Sequence, residues 1–177
     1  EFVKEEVLSN LNTFSKVSLL DSNSHFLSLN EVLESSFPVY VKNYGKGQLA
    51  TLSIRGNGAS QTQLFWNGFK MNSPTLGQTD LSLIPLFFIS EVNLNYSGAS
   101  SMDGSGGIGG SIQLANKLNW KNGIHVSLLQ EFASFSNFTT GLGFSFGGKR
   151  FYHQLKILHQ KGVNEFEFVD LSKINNP

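Results

Sequence analysis

Gly104-Ser-Gly-Gly-Ile-Gly109 has the G-x-G-x-x-G spacing with which a glycine-rich turn cradles a dinucleotide pyrophosphate. That chemistry needs a helix directly after the turn, because the free N–H groups of a helix N-terminus hold the phosphates. Here Ser111-Ile-Gln-Leu114 follows, and it alternates as a strand does. The match therefore reads as a Gly-rich turn, and no G-K-[ST] is present for a Walker loop. His25, His125, His153 and His159 show no ligand spacing. His153 and His159 can share a strand face, but no carboxylate pair stands near them. Glu5–Glu6 and Glu165 with Glu167 read as solvated charges rather than a general acid/base pair. Asn137-Phe-Thr139 carries only the letters of a glycosylation sequon. No nucleophile, base and orienting group form a set. An enzyme, a metal site and a cofactor are not expected.

The elements that would carry other functions follow from composition and period. The chain has 177 residues, enough for one domain or one plus part of another. Hydrophobic residues are 40%, so a packed core is expected. Charged residues are only 15%, against about 25% in soluble domains. The 13 basic and 13 acidic residues cancel, which leaves no field for nucleic acid. Eighteen Gly and sixteen Phe favour tight turns and aromatic-faced strands. With no Cys there are no disulfides and no thiolate sites. The longest apolar stretch, residues 84–89, is too short for a membrane helix. Without an initiator Met or a signal peptide, the chain reads as a mature or excised segment.

The composition changes near Lys117. Residues 1–13 form a polar, acidic arm, and residues 15–20 suit a short strand. Ser28-x-x-Glu31 is a capping box for a helix whose apolar face is Leu29, Val32, Leu33 and Phe37, stopped by Pro38. Strands are expected at 39–41, 50–55, 61–66, 69–72, 91–96 and 111–114. Asn67-Gly68 joins two of them, because both residues tolerate φ > 0. Asp80 can cap a helical turn, and Pro85 can open another at its first position.

Beyond residue 117, Phe138, Thr140, Leu142, Phe144 and Phe146 alternate with Thr139, Gly141, Gly143, Ser145 and Gly147. Ile124, Val126, Leu128 and Phe132 share one face, as do Phe151, Leu155 and Ile157. Strands of about ten residues with tight turns fit a transmembrane β-barrel wall. An ordinary antiparallel sheet packed on the first domain fits the pattern as well.

Several stretches then act together. They are Leu49-Ala-Thr-Leu-Ser-Ile-Arg-Gly56, Trp66-Asn-Gly-Phe-Lys-Met-Asn72, Asp80-Leu-Ser-Leu-Ile-Pro85, Ile89-Ser-Glu-Val92 and the 104–114 stretch. In this order and spacing they resemble the plug domain of TonB-dependent outer-membrane receptors, over residues 14–117. Gly45-Lys-Gly-Gln-Leu49 and Arg55-Gly-Asn-Gly-Ala-Ser60 resemble the vitamin B12 transporter branch and its Bacteroidetes members. There are departures. Asn67 replaces the family Asp, Tyr96-Ser-Gly98 replaces R-G-P, and Asp103 replaces Tyr. These put the family's charge network in doubt, but not its fold.

The resemblance implies an α+β plug, a small mixed sheet with short helices, over residues 14–117. Residues 118–177 become the first antiparallel strands of a barrel. A barrel of about 22 strands needs roughly 220 strand residues, so the chain is expected to be incomplete as a receptor. The implied function is ligand-gated import of a cobalamin-like corrinoid or an iron chelate across the cell outer membrane, energised by TonB. A structural or secretion-complex component that reuses the plug fold is the alternative. The implied ligand loops are 43–47, 56–61 and 72–78, with Tyr44, Lys46, Asn57, Ser60, Gln61, Asn72, Ser73, Thr75 and Gln78. Without the resemblance, each of these is an ordinary turn residue. Glu5, Glu6, Val7, Leu8 and Ser9 stand where a TonB box lies, or else belong to a disordered tail. Implied partners are TonB, the ligand, outer-membrane lipid, and a surface lipoprotein or larger membrane complex, with no nucleic acid.

Overall fold

Ser28 fixes the start of the helix. Its Oγ accepts from the Glu31 backbone N–H at 3.3 Å, which satisfies one of the free donors of the first turn. In the computed structural model, residues 14–19, 28–45, 47–96, 108–118, 120, 122–133 and 136–162 are described. The helix, α1, is Leu29–Ser36, and Pro38 follows its C-cap Phe37. Leu29, Val32, Leu33 and Phe37 are all buried, as their spacing predicts. Residues 1–13 and the Gly-Ser stretch 97–107 lie outside the described residues, so the arm and most of the G-x-G-x-x-G stretch do too.

The chain divides into two units, Glu1–Leu118 and Asn119–Pro177. The first holds seven described strands: β1 Phe14–Ser18, β2 Val39–Asn43, β3 Ala50–Ile54, β4 Thr62–Trp66, β5 Phe69–Lys70, β6 Glu91–Tyr96 and β7 Gly110–Ala115. Five of them form a sheet in the order β1-β6-β7-β4-β5. The β4–β7 pair is parallel and the others are antiparallel, so the sheet is mixed. β2 and β3 make a separate antiparallel hairpin. Asn67 (φ 49°) and Gly68 (φ 86°) turn β4 into β5, both left-handed as the dipeptide predicts.

The core of this unit lies between α1, the hairpin and the sheet. Val32, Leu33, Ile54, Val92, Leu94 and Ile112 have no measurable exposure, and each such side chain contributes about 1.5–3 kcal/mol of burial. Asp80 caps the 3₁₀ turn Leu81–Leu83, where its Oδ1 accepts from Ser82 N at 3.0 Å. The same oxygen accepts from Ala50 N at 3.1 Å and pins the start of β3. Two expectations need correction. Pro85 is the N-cap of the 3₁₀ turn Leu86–Phe88, one residue before the position expected for it, since its ψ of 124° is extended. The strand expected at 69–72 is only Phe69–Lys70, because a side chain takes over the ladder at Asn72.

In the second unit, β8 Gly123–Ala133, β9 Asn137–Gly147 and β10 Tyr152–Lys161 form an antiparallel sheet in the order β10-β9-β8. The register aligns Val126, Phe144 and Leu155 in one row, and Leu128, Leu142 and Ile157 in the next. Asn137 and Thr139 of the sequon letters lie within β9 rather than in a loop. His153 and His159 share a face of β10, but six residues of strand, about 20 Å, separate them.

Candidate functional site

Two of the three sequence-predicted loops meet. A Cβ on Gly77 would lie 3.3 Å from the Ser60 Cβ, so residues 56–61 and 72–78 are neighbours. Gly109 joins them, donating its N–H to the Gln61 carbonyl at 3.0 Å, and a Cβ there would lie 3.0 Å from the Asn57 Cβ. The 43–47 loop is elsewhere. It closes the Asn43↔Ala50 end of the hairpin, whereas residues 55–61 leave from Ile54 at the other end of β3. Four residue steps of strand, about 13 Å, separate the two ends. A ligand touching all three loops must therefore be large.

The predicted residues differ in what they present. Ser60, Gln61 and Thr75 are exposed, while Asn57, Ser73 and Gln78 are half-buried. Gln61 Oε1 accepts from Gly58 N at 3.2 Å, and Asn57 Nδ2 donates to the Ile54 carbonyl at 3.2 Å. The Ser73 and Thr75 hydroxyls lie 3.1 Å apart, and Ser73 Oγ accepts from Leu76 N at 3.3 Å. Tyr44 is exposed, with the Lys42 ammonium 5.0 Å from its ring centroid. Hydrogen bonding to Tyr44 holds that ammonium above its usual range. Lys46 and Glu5, Glu6, Val7, Leu8 and Ser9 lie outside the described residues.

Asn72 behaves differently. It is 9% exposed, and its Oδ1 accepts from Leu64 N at 2.9 Å. Its Nδ2 donates to the carbonyls of Thr62 (2.9 Å) and Gly77 (2.8 Å). Both amide hydrogens are thus used inside the protein. Its geometry is that of a clamp holding the 72–78 loop to β4.

Three features escaped the sequence reading. Arg55 has φ 52°, and its guanidinium carbon lies 4.5 Å from the Tyr96 ring centroid, a cation–π stack at the foot of the 56–61 loop. The I-R-G motif contained this residue, but the long-range Tyr96 contact left no local signal. Ile108, 69% exposed, stands beside Gly109 next to the loop cluster. Glu91 is the third. Only 5% exposed, it receives Lys117 Nζ at 2.7 Å, Lys16 Nζ at 3.2 Å and Asn93 Nδ2 at 2.9 Å. Burial pushes its carboxyl up, but hydrogen bonds from Lys117, Asn93 and Lys16 outweigh that and hold it below the usual range.

No helix follows Gly109. The chain enters β7 at Gly110, so the dinucleotide geometry is missing its phosphate-binding helix. Among the described residues, no three His, Asp or Glu side chains converge to hold a metal ion.

The second unit offers a surface rather than a cleft. Val126 (67% exposed), Phe144 (43%) and Leu155 (58%) lie in one row of a continuous bare apolar face. Ile124, Leu128, Phe132, Phe138, Leu142, Phe146 and Ile157 extend it. Aromatic contacts mark its ends: Phe132 with Phe138 (centroids 5.6 Å) at one, and Phe146 with Phe151 (5.6 Å) at the other. On the opposite face, Thr139, Gly141, Gly143, Ser145 and Gly147 are buried. β9 is the middle strand there, flanked at Gly141 by Leu129 and Leu158.

A family model described as "TonB-dependent Receptor Plug Domain" matches residues 4–111. The vitamin B12 transporter BtuB of Vibrio vulnificus is 28% identical over 162 residues, covering 85% of this chain and 26% of that protein. BtuB of Photobacterium profundum is 33% identical over 87 residues, covering 49% of this chain and 14% of that protein. The chain therefore spans about a quarter or less of the length of these relatives. Among solved structures, the copper transporter OprC superposes with TM-score 0.69 at 15% identity, covering 85% of this chain and 24% of that one. The pyoverdine receptor FpvA of Pseudomonas aeruginosa PAO1 gives 0.68 at 14% identity, covering 84% and 22%. These two likenesses concern the fold: a mixed-sheet plug followed by antiparallel strands. With the plug model covering more than half of its residues, the chain belongs to the TonB-dependent receptor plug domain family.

Proposed function

We propose that this chain forms the plug and opening wall strands of an outer-membrane importer energised by TonB. The family match over residues 4–111 carries the reading. The plug blocks the lumen of a barrel, presents the loop cluster to a ligand outside, and offers residues 5–9 to TonB. TonB captures such a segment by strand addition and pulls on it. The work comes from that pull, and no bond is made or broken by side chains of this chain.

The bare face of the second unit supports a membrane position. From Phe138 to Phe146 the apolar side of β9 runs about 26 Å along the strand, or about 20 Å when tilted by 40°. That is close to the apolar band of about 25 Å on outer-membrane barrels. Outer-membrane lipid is the natural cover for it.

For the cargo we infer a large polar nutrient, a cobalamin-like corrinoid or an iron chelate. The separation of the 43–47 loop from the other two favours a ligand that can bridge them. Ser60, Gln61 and Thr75 offer neutral donors and acceptors, which suit a polar chelate better than a bare ion. The named relatives are vitamin B12 transporters, which puts cobalamin first. They come from Vibrio and Photobacterium, so the Bacteroidetes-like character rests only on the 45–49 and 55–60 stretches. A surface lipoprotein as an added partner rests on the same resemblance.

The test is uptake. The full-length receptor is expressed in cells lacking their own cobalamin receptor, with and without TonB. Labelled cyanocobalamin and a set of ferric chelates are offered. TonB-dependent accumulation of one of them is the expected result. Surface expression without TonB-dependent uptake of any cargo would favour the structural-component reading.

A further inference from the structure

Residues 90 and 91 touch both places where the described chain enters and leaves the plug unit. β1 is the first described element after residues 1–13, and Lys117 stands two residues before Asn119, where the second unit begins. Ser90 bonds to both sides. Its carbonyl accepts from Leu19 N at 2.9 Å, just beyond β1. Its own N–H donates to the Ala115 carbonyl at 2.9 Å, and its Oγ donates to the Lys117 carbonyl at 3.4 Å. Glu91 repeats the pattern with charge. Oε1 takes Lys16 of β1 at 3.2 Å, and Oε2 takes Lys117 at 2.7 Å.

We propose that Ser90 and Glu91 form a junction that couples the arm-side strand β1 to the exit segment at 115–118, so that loosening either one loosens the other. The physics is that of a buried carboxylate. Glu91 stays ionised in its site because both lysines and Asn93 surround it, and losing one partner leaves the charge under-compensated. β1 is an edge strand of five residues whose sheet partner among the described residues is β6, with Val17 packed against the core, so an edge position and one apolar contact set its hold on the plug. When β1 leaves, water reaches Glu91 and screens its attraction to Lys117. The chain thus carries a loosening at its arm end through to the segment that leads to the wall strands. The role of this coupling in transport rests on the pulling mechanism proposed above. The coupling itself does not.

Hydrogen exchange on the full-length protein, without TonB, tests it. The variants are Lys117→Met, Lys16→Met, the two together, and Lys117→Met in a Glu91→Gln background. Lys117 and Lys16 are both partly exposed, and a circular-dichroism spectrum and melting midpoint establish that each variant is folded before exchange is read. Lys117→Met is expected to speed exchange of the β1 amides and of Leu19 about fivefold, through the Glu91 carboxylate that Lys117 and Lys16 share. Lys16→Met should do the same for Asn116, whose amide donates to Asn67 Oδ1 at 2.9 Å. The double variant should fall short of the product of the single effects. In the Glu91→Gln background Lys117→Met should no longer change exchange of the β1 amides, whatever it does locally. Single variants that change exchange only in their own strand would overturn the proposal, as would multiplicative effects in the double. Uptake assays fail or succeed independently of this result, so the two readings are separable.

Discussion

Asn72 Oδ1 accepts the Leu64 amide at 2.9 Å, and through this bond a side chain continues a β-ladder where the partner strand has stopped. β5 pairs with β4 only at Phe65 and Trp66. Met71 N donates to the Leu64 carbonyl at 2.8 Å, and Asn72 Nδ2 then reaches the Thr62 carbonyl at 2.9 Å. The carboxamide stands in for a peptide group, so β4 keeps its bonds while the chain turns away into the 72–78 loop.

Asn72→Ala should therefore act on stability. It leaves the buried Leu64 N–H and Thr62 carbonyl unpaired, at about 1–3 kcal/mol for each group. Asn72→Asp should be no better, since a carboxylate oxygen would face the Thr62 and Gly77 carbonyls. Ser60→Ala with Thr75→Ala changes only exposed groups, and should stay within about 0.5 kcal/mol. Urea denaturation of the chain gives the order. If Asn72→Ala leaves the midpoint unmoved, the clamp is wrong.

Among the described glycines, Gly110 is the one at which a side chain is least tolerable. Its φ is 133°, and a Cβ would stand 2.7 Å from the Asn95 backbone oxygen. Gly110→Ala should cost more than about 2 kcal/mol, by strain and by opening the β6–β7 pair. Gly56 has φ 77° with nothing within 4 Å, so Gly56→Ala should cost only about 1 kcal/mol. Equal costs at the two positions would show that backbone strain alone decides.

The pH dependence follows from Glu91. Its folded carboxyl titrates below the ordinary value of 4.5, so the folded state binds fewer protons than the unfolded one. The stability from this group is complete above about pH 4.5 and is lost as pH falls through the lower folded value. The gap between wild type and Glu91→Gln should be constant from pH 7 to about 5 and shrink in more acid solution. Denaturation midpoints across that range check it. A gap that widens on acidification would reverse the assigned shift.

Adjacent residues on β8 test the proposed membrane face. Val126 lies in the bare apolar row, and Ser127 is the next residue, on the opposite side of the strand. An arginine facing lipid near mid-depth costs about 2–4 kcal/mol, whereas a lumen-facing one costs little. Val126→Arg should impair folding of the full-length receptor, and Ser127→Arg should not. Heat-modifiable gel mobility reports this directly. Greater damage from Ser127→Arg would reverse the faces.

Much of this fold was legible because its signals are local. Ser28, Asn67-Gly68, Asp80 and the period-two stretch 138–147 each act within a few residues, and each stands where its chemistry predicts. The pairing of β4 with β7 and of β1 with β6 joins strands far apart in sequence, and no period announces it. The same holds for Glu91, whose two lysines are 75 and 26 residues away in sequence. Asn72 enters the implied ligand loops through the family resemblance, and its letter alone suits an ordinary turn. Burial and three hydrogen bonds, visible only in three dimensions, give it a structural part.

The proposal that TonB drives this protein is tested most directly at residues 5–9. Strand addition relies on main-chain hydrogen bonds, and proline removes a donor and restricts the backbone. Binding of the TonB C-terminal domain to the full-length receptor is measured for wild type, Val7→Ala and Val7→Pro. The account predicts near-normal binding for Val7→Ala and a loss of about tenfold or more for Val7→Pro, equivalent to one main-chain bond and its strain. Equal binding by the two variants, or no TonB binding by the wild type, would contradict it.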